Sequence, residues 1–209
     1  MKPIVHHVEE KGAGLSGHGH NGFFNAYSTL NKLHFSLMNK NPEVASKSLG
    51  YDVSKANYTP KKQKEFQSHL EKAAKLHDSV EDKTYDVANR HKISLKMYMN
   101  SAAKTGEKPS TKGYEAYMGM RHQKEVEKAE NNKERQLKLE AASQKMSNIH
   151  NDRKHLDKII DIHHHLQNAK NVLTSALGVD KMPDGLVIKD DSGDSVKFYN
   201  RNPEGSQNA

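Results

Sequence analysis

The sequence predicts a mainly α protein: an elongated helical bundle or hairpin of long charged helices that ends in a small C-terminal β-hairpin. Three observations predict it. Apolar residues recur at helical spacing through most of residues 21–178, and the one clear β signal is confined to residues 183–201, PDGLVIKDDSGDSVKFYNR. Of the 209 residues 33% are hydrophobic, 28% are charged, 6% are aromatic and none is Trp. Apolar surface on that scale cannot fill a large compact core, so the helices must be thin and well solvated.

Residues 1–20 read as a flexible segment, with Gly12, Gly14, Gly17 and Gly19 interleaved with Ser16, His18 and His20. The helical body spans residues 21–178. Its first helix carries Phe23, Ala26, Tyr27, Leu30, Leu33, Leu37 and Met38 until Asn39 to Pro42 stop it. Residues 43–58 are ambiguous. Thr59-Pro60 then places a capping hydroxyl before a proline at the first helical position, and the second helix sets Phe66, Leu70, Ala73, Ala74 and His77 on one face. Asp82 is the expected cap of a third helix, with Tyr85, Ala88, Leu95, Tyr98 or Met99, and Ala102 as its stripe before Gly106 and Pro109 end it.

From Ser110 to Leu177 the chain has no proline and almost no glycine. As one helix this stretch would run to about 100 Å. Between Arg121 and Gln136, however, only Val126 and Ala129 are apolar, so no continuous stripe can be buried there. Two long helices in an antiparallel pair, turning near Asn131-Asn132, are favoured over a continuous strut. Glu130 with Lys133 and Glu134 with Lys138 support exposed helix by a few tenths of a kcal/mol per pair, roughly, which does not fix the geometry. The last stripe is Ile149, Leu156, Ile159, Ile160, His163, Leu166, Leu173 and Leu177.

In the 183–201 segment Leu186, Val187 and Ile188 form one β run, Asp190 to Asp194 supply the turn, and Val196, Phe198 and Tyr199 form the second. A lone hairpin is marginal in water. It must pack on the helices or be completed by a strand from a partner. Residues 202–209 read as a disordered tail.

A formal charge of +7 and an isoelectric point near 9.3 favour an anionic partner, although the charge is spread through mixed-sign helices. Lys61, Lys62, Lys64, Lys72 and Lys75 are the candidate nucleic-acid contacts, against the plainer reading of a solvated helix face. The absence of cysteine excludes disulfides and thiolate metal sites. The opening MKPIVHHVEEKG has no apolar run of a leader, and no segment reaches the length of a membrane span. A soluble, intracellular protein is expected, without a membrane partner.

Fourteen histidines invite a metal reading, centred on His163-His164-His165. Consecutive helical residues point about 100° apart, so three adjacent histidines cannot ligate one ion alone. Asp161 with His165, or Asp157 with His164, has better spacing, yet no HExxH-like signature accompanies them. No metal site is assigned, and His163 is expected in a helix interface with its neighbours solvated. His6-His7 and His18/His20 are weaker still, and Met97, Met99, Met118 and Met120 are read as gap-fillers between helices. A nucleophile elbow and a phosphate-binding loop are both missing.

The strings PDGLVIK and VKFYNR resemble the pair of late strands in covalent nucleotidyltransferases, the polynucleotide ligase and capping-enzyme superfamily. With VHHVEEKGAGLSGHG, TPKKQKEFQSHLEKAAKLHD and IDIHHHLQNAKNVLTSAL, the order of features is similar to a family of tailed-phage proteins that join a ligase-like nucleotidyltransferase core to a helical insertion. The resemblance implies nucleotide-binding roles for Asp184, Lys189 and Lys197, with ATP and Mg2+ as cofactors only if the enzymatic function is retained. Such enzymes bind the nucleotide covalently through the lysine of Lys-x-Asp-Gly, an amine that attacks the α-phosphate. That motif is missing: the nearest string, Lys47-Ser48-Leu49-Gly50, has no aspartate. No catalytic residue is assigned. The expectation is therefore a phage-type, non-catalytic relative that binds nucleic acid or a protein partner through its helical body. A helical scaffolding protein of a phage particle is the alternative, and an active nucleotidyltransferase the second alternative.

Overall fold

A computed structural model of the chain describes residues 18–39, 41–179, 187–189 and 195–197. The chain is mainly helical. Among the described residues there are seven helices: α1 His18–Met38, α2 Pro42–Leu49, α3 Pro60–Asp78, α4 Asp82–Thr105, α5 Thr111–Glu127, α6 Asn132–Asn151 and α7 Arg153–Leu177. Two three-residue strands follow, β1 Val187–Lys189 and β2 Ser195–Lys197, paired antiparallel with Ile188 opposite Val196. The remainder of the expected hairpin, its turn included, lies outside the described residues, as do the expected tail and residues 1–17 of the expected flexible segment. Residues 18–20, expected in that segment, belong to α1.

Local chemistry explains most boundaries. The ambiguous stretch after Asn41 is a helix because Asn41 Oδ1 accepts from the backbone N–H groups of Glu43 and Val44, with Pro42 at the first helical position. Gly50 closes α2 in the left-handed region at φ 62°. Thr59 Oγ1 accepts from Lys62 N at 3.3 Å, as the Thr59-Pro60 signal predicts. Asp82 departs from expectation. It is the first residue of α4, and the N-cap position falls to Glu81, whose side chain makes no capping bond. An acidic group in the first turn still faces the positive end of the helix.

Residues 110–177 form three helices, neither two nor one. Asn131 caps α6 by accepting from Glu134 N, and Glu134 reaches back to Glu130 N at 2.8 Å while holding Lys138 at 2.6 Å. The short link between α5 and α6 therefore turns beside Asn131, and the two helices pack on each other as a helical hairpin. The second break is at Asp152. Its backbone N–H closes α6 while its carbonyl accepts from His155 N and Leu156 N, which opens α7 at once. Asp is a weak helix former with strong capping habits, and no glycine or proline announces the change.

The described chain divides into two compact units, one centred on residues 73–164 and the other on residues 22–72 and 165–179 with the strand pair. In the first, Val87, Leu95, Tyr98, Ala102, Tyr114, Met118, Ile149, Leu156, Ile159 and Ile160 form one core cluster. Within it Tyr98 Oη accepts from Ser110 N at 2.9 Å, and a Cβ on Gly113 would come within 2.3 Å of that oxygen. Only glycine lets α5 approach Tyr98 this closely.

In the second unit Leu33, Leu49, Phe66, Ala169 and Leu173 are fully buried. Phe66 stacks on the His34 imidazole with centroids 4.7 Å apart, and His34 Nδ1 is hydrogen-bonded to the Tyr58 hydroxyl. Burial holds His34 below the usual imidazole range and pushes the Tyr58 phenol up, so the phenol is the donor. Asn57 N donates to Ala176 O at 2.7 Å, tying the connection before α3 to the end of α7. No described helix is long and apolar enough to cross a membrane.

Candidate functional site

The lysines singled out in the sequence lie on α3. Phe66, Leu70, Ala73, Ala74 and His77 are buried there as the spacing predicts, which turns the opposite face outward. Lys61, Lys64, Lys72 and Lys75 are all exposed. At about 100° per residue they fall within an arc of roughly 80°, with exposed Ser68 inside it. Lys61 and Lys72 stand roughly 16 Å apart along the axis at 1.5 Å per residue. Glu65 and Glu71 flank the row, as on a solvated face. Lys62 is different: its ammonium donates to Ser175 O at 3.1 Å and supports the C-terminal end of α7.

Of the positions named from the ligase resemblance, Lys189 and Lys197 lie in the strand pair. Asp184 lies outside the described residues. Lys189 stands opposite Ser195 and Lys197 opposite Val187 in the strand pair. Lys47 is an exposed residue in the last turn of α2, and Gly50 is that helix's left-handed cap.

The tri-histidine run separates as helix geometry requires. His163 is exposed, and Ile162 takes the buried position that the sequence pattern gives to His163, because the stripe on α7 runs through Ile159, Ile162, Leu166 and Ala169. Burial first, then Lys108, holds His164 below the usual imidazole range against Asp161. His165 Nδ1 sits 3.2 Å from His69 Nδ1. Among the described residues no three His, Asp or Glu side chains are grouped to hold an ion.

Sequence reasoning missed the most developed polar assembly, in the unit of residues 73–164. The buried stripe of α4 is Thr84, Val87, His91, Leu95, Tyr98 and Ala102, one residue before the expected Tyr85 and Ala88. It thus carries two polar side chains inward. His91 Nε2 is 3.0 Å from Asp152 Oδ2, which also accepts from Arg90 at 2.9 Å, and both His91 and Asp152 are buried. His91 Nδ1 meets the Tyr114 hydroxyl at 3.2 Å, which in turn meets Ser94 Oγ at 2.5 Å. Thr84 Oγ1 pairs with His155 Nδ1 at 2.8 Å, and Thr111 donates to Asp157. The network satisfies its buried members, as a low-dielectric interior demands.

Beside this network lies a cleft of about 360 Å³ bounded by α4, α5 and α6. Buried His91, Tyr114, Met118, His122 and Ile149 make its floor, while Ile93, Met97, Arg90, Glu125 and Lys145 line its exposed parts with half-buried Arg121. His122 Nδ1 is 3.6 Å from Glu125, and its Nε2 is buried without a hydrogen-bond partner. A second hollow of about 370 Å³, at Pro42, Ser46, Tyr51 and Asp52, has no comparable buried polar floor. The spacing of His91 within the α4 stripe was a legible hint of the network. Nothing in the order of residues joins Arg121 or His122 to Lys145.

No curated protein and no solved structure matches the chain. The model of a family of unknown function, DUF6267, matches residues 6–206. With that match covering nearly the whole sequence, the chain belongs to the DUF6267 family.

Proposed function

We propose that this chain is a non-catalytic binding protein whose helical body engages nucleic acid through α3. The observation that carries the reading is the row of exposed Lys61, Lys64 and Lys72 on one face of a helix whose opposite face is buried. A linear row of ammonium groups suits a phosphate backbone, where affinity comes from released counterions and needs no base contact. The +7 charge draws polyanions to the chain as a whole. The ligase-like resemblance is consistent with a history among nucleic-acid enzymes, and the missing Lys-x-Asp-Gly lysine is the ground for placing the chain outside catalysis. On this reading Asp184, Lys189 and Lys197 are remnants of a nucleotide site, and the protein acts in a phage-infected cell or a virion.

The test is fluorescence anisotropy of the full chain against short single- and double-stranded DNA and RNA over a salt series. Micromolar or tighter binding that weakens steeply with salt is expected. Replacing Lys61, Lys64 and Lys72 together by Gln should lower the salt slope by about 2 to 3, since each lysine that pairs a phosphate accounts for roughly one. Absence of binding at low salt would remove the proposal. Transfer of label from ATP to Lys47 in the presence of Mg2+ would show the chain to be an enzyme after all.

One observation favours a second reading, the scaffolding protein. In α6 only Ile149 is buried among twenty residues, and Leu137 and Leu139 are exposed. A helix so little covered by its own chain gains from a protein partner. Concentration-dependent assembly abolished by Leu137→Gln with Leu139→Gln would support that role.

A further inference from the structure

We propose that the cleft bounded by α4, α5 and α6 is a binding site for a small phosphomonoester. Its volume, about 360 Å³, falls within the range of small-molecule sites. Two kinds of group meet there. Arg121 and Lys145 have no carboxylate partner among the described residues, so their charge is uncommitted. Arg121 does donate to Met97 Sδ, but a thioether is a weak acceptor that an anion readily replaces. Arg90 is committed to Asp152 and contributes little. Against the cations stand Ile93 and Met97, large apolar side chains that are 77% and 43% exposed in the same cleft. A phosphate on the cations and a carbon skeleton on Ile93 and Met97 would use both.

His122 gives the independent indication. It is 6% exposed, it lines the cleft, and its Nε2 is covered yet unpartnered. A buried nitrogen left without a hydrogen bond costs free energy unless another molecule supplies one. Glu125 stands at the opposite ring nitrogen, Nδ1, which leaves Nε2 as the atom that turns to a ligand. His122 would donate from Nε2 to a phosphate oxygen beside Arg121 and Lys145, and a hydrogen bond to an ionised acceptor is of the stronger kind. Phosphate suits these three donors better than a carboxylate, because its oxygens are tetrahedrally disposed and accept from several directions.

The site belongs to the unit of residues 73–164, whereas Lys61, Lys64 and Lys72 belong to the other. Its success or failure is thus separable from that of nucleic-acid binding. The test titrates the full chain with phenyl phosphate, inorganic phosphate and benzyl alcohol, following the side-chain nitrogen signals of the histidines by NMR. A saturable shift of the His122 signal is expected, with phenyl phosphate tighter than inorganic phosphate and benzyl alcohol without effect. Arg121→Gln, at a half-buried position, should weaken phenyl phosphate about tenfold or more, and His122→Phe should do the same. The triple lysine variant should bind the probe unchanged. No saturable shift, equal affinity for phenyl and inorganic phosphate, or wild-type affinity in a folded Arg121→Gln protein would each overturn the proposal.

Discussion

The two units of the chain solve burial differently. In residues 22–72 and 165–179 the interior is chiefly aliphatic, from Leu30 and Leu33 through Leu70 to Val172 and Leu173, and its buried histidine, His34, lies flat against Phe66. In residues 73–164 the buried positions of α4 alternate between Val87, Leu95 and Ala102 and the polar Thr84 and His91, the latter tied to Asp152 and Tyr114. An aliphatic interior is stabilised by area removed from water and tolerates small shifts. A hydrogen-bonded interior tolerates few, because a shift breaks bonds that have specific partners. The polar unit is also the one that carries the cleft. Polar floors cost stability and supply chemistry, and among the described residues the cleft with such a floor lies in the unit of residues 73–164.

That contrast can be broken first at Phe66. Truncation by Phe66→Ala removes a fully buried ring and its stack on His34, and should cost about 3 to 5 kcal/mol of unfolding free energy in urea. Amide exchange should accelerate in α1 before α5. The corresponding lesion in the polar unit is Asp152→Ala. It strands buried His91 and half-exposed Arg90, and because Arg90 can reach water the cost should sit near ~3 kcal/mol, at the lower end for a broken buried pair. Here α4 and α5 should exchange first. If the two variants gave the same exchange pattern, the distinction between the units would have no energetic meaning.

Gly113→Ala tests close packing without touching charge. The new methyl would collide with Tyr98 Oη at 2.3 Å and displace it from Ser110 N. A destabilisation of about 1 to 3 kcal/mol is expected, and Tyr98→Phe in the same background should recover part of it by removing the oxygen that clashes.

The smallest effect is a pH slope. Burial lowers the folded-state pKa of His34 below its ordinary value, so between the two values the unfolded chain holds more protons. The contribution is fully present above the ordinary imidazole range near ~6.5 and is lost as pH falls through the folded pKa. Stability should therefore decline on acidification below roughly pH 6.5, and His34→Gln should flatten that part of the profile when urea midpoints are compared. An unchanged slope in the variant would assign the decline to other groups.

Much of this architecture is written in periodicity. The stripe of α3 from Phe66 to His77, the Thr59-Pro60 start and the turn beside Asn131 all follow from local chemistry that acts within a few residues. The aspartate that ends α6 and starts α7 was not legible, since Asp152 takes both capping roles only where its carboxylate also finds His91 and Arg90. The first turns of the α4 stripe, Tyr85 and Ala88, were placed one residue late for a related reason, whereas Leu95, Tyr98 and Ala102 are buried as expected. Pattern reading seeks apolar faces, and Thr84 and His91 look solvent-facing until His155, Asp152 and Tyr114 are known to meet them.

The order of residues alone is enough to show that the chain is mainly helical, where α3 and α6 start, and which face of α3 carries the lysines, because backbone hydrogen bonding, capping and the 3.6-residue repeat are local. Three outcomes needed the packed molecule: that Lys62 serves the end of α7, that Ile162 displaces His163 from the buried stripe, and that Arg121, His122 and Lys145 share one cleft. Each depends on which helix lies against which, and residues far apart in order become neighbours only when the core has chosen its partners.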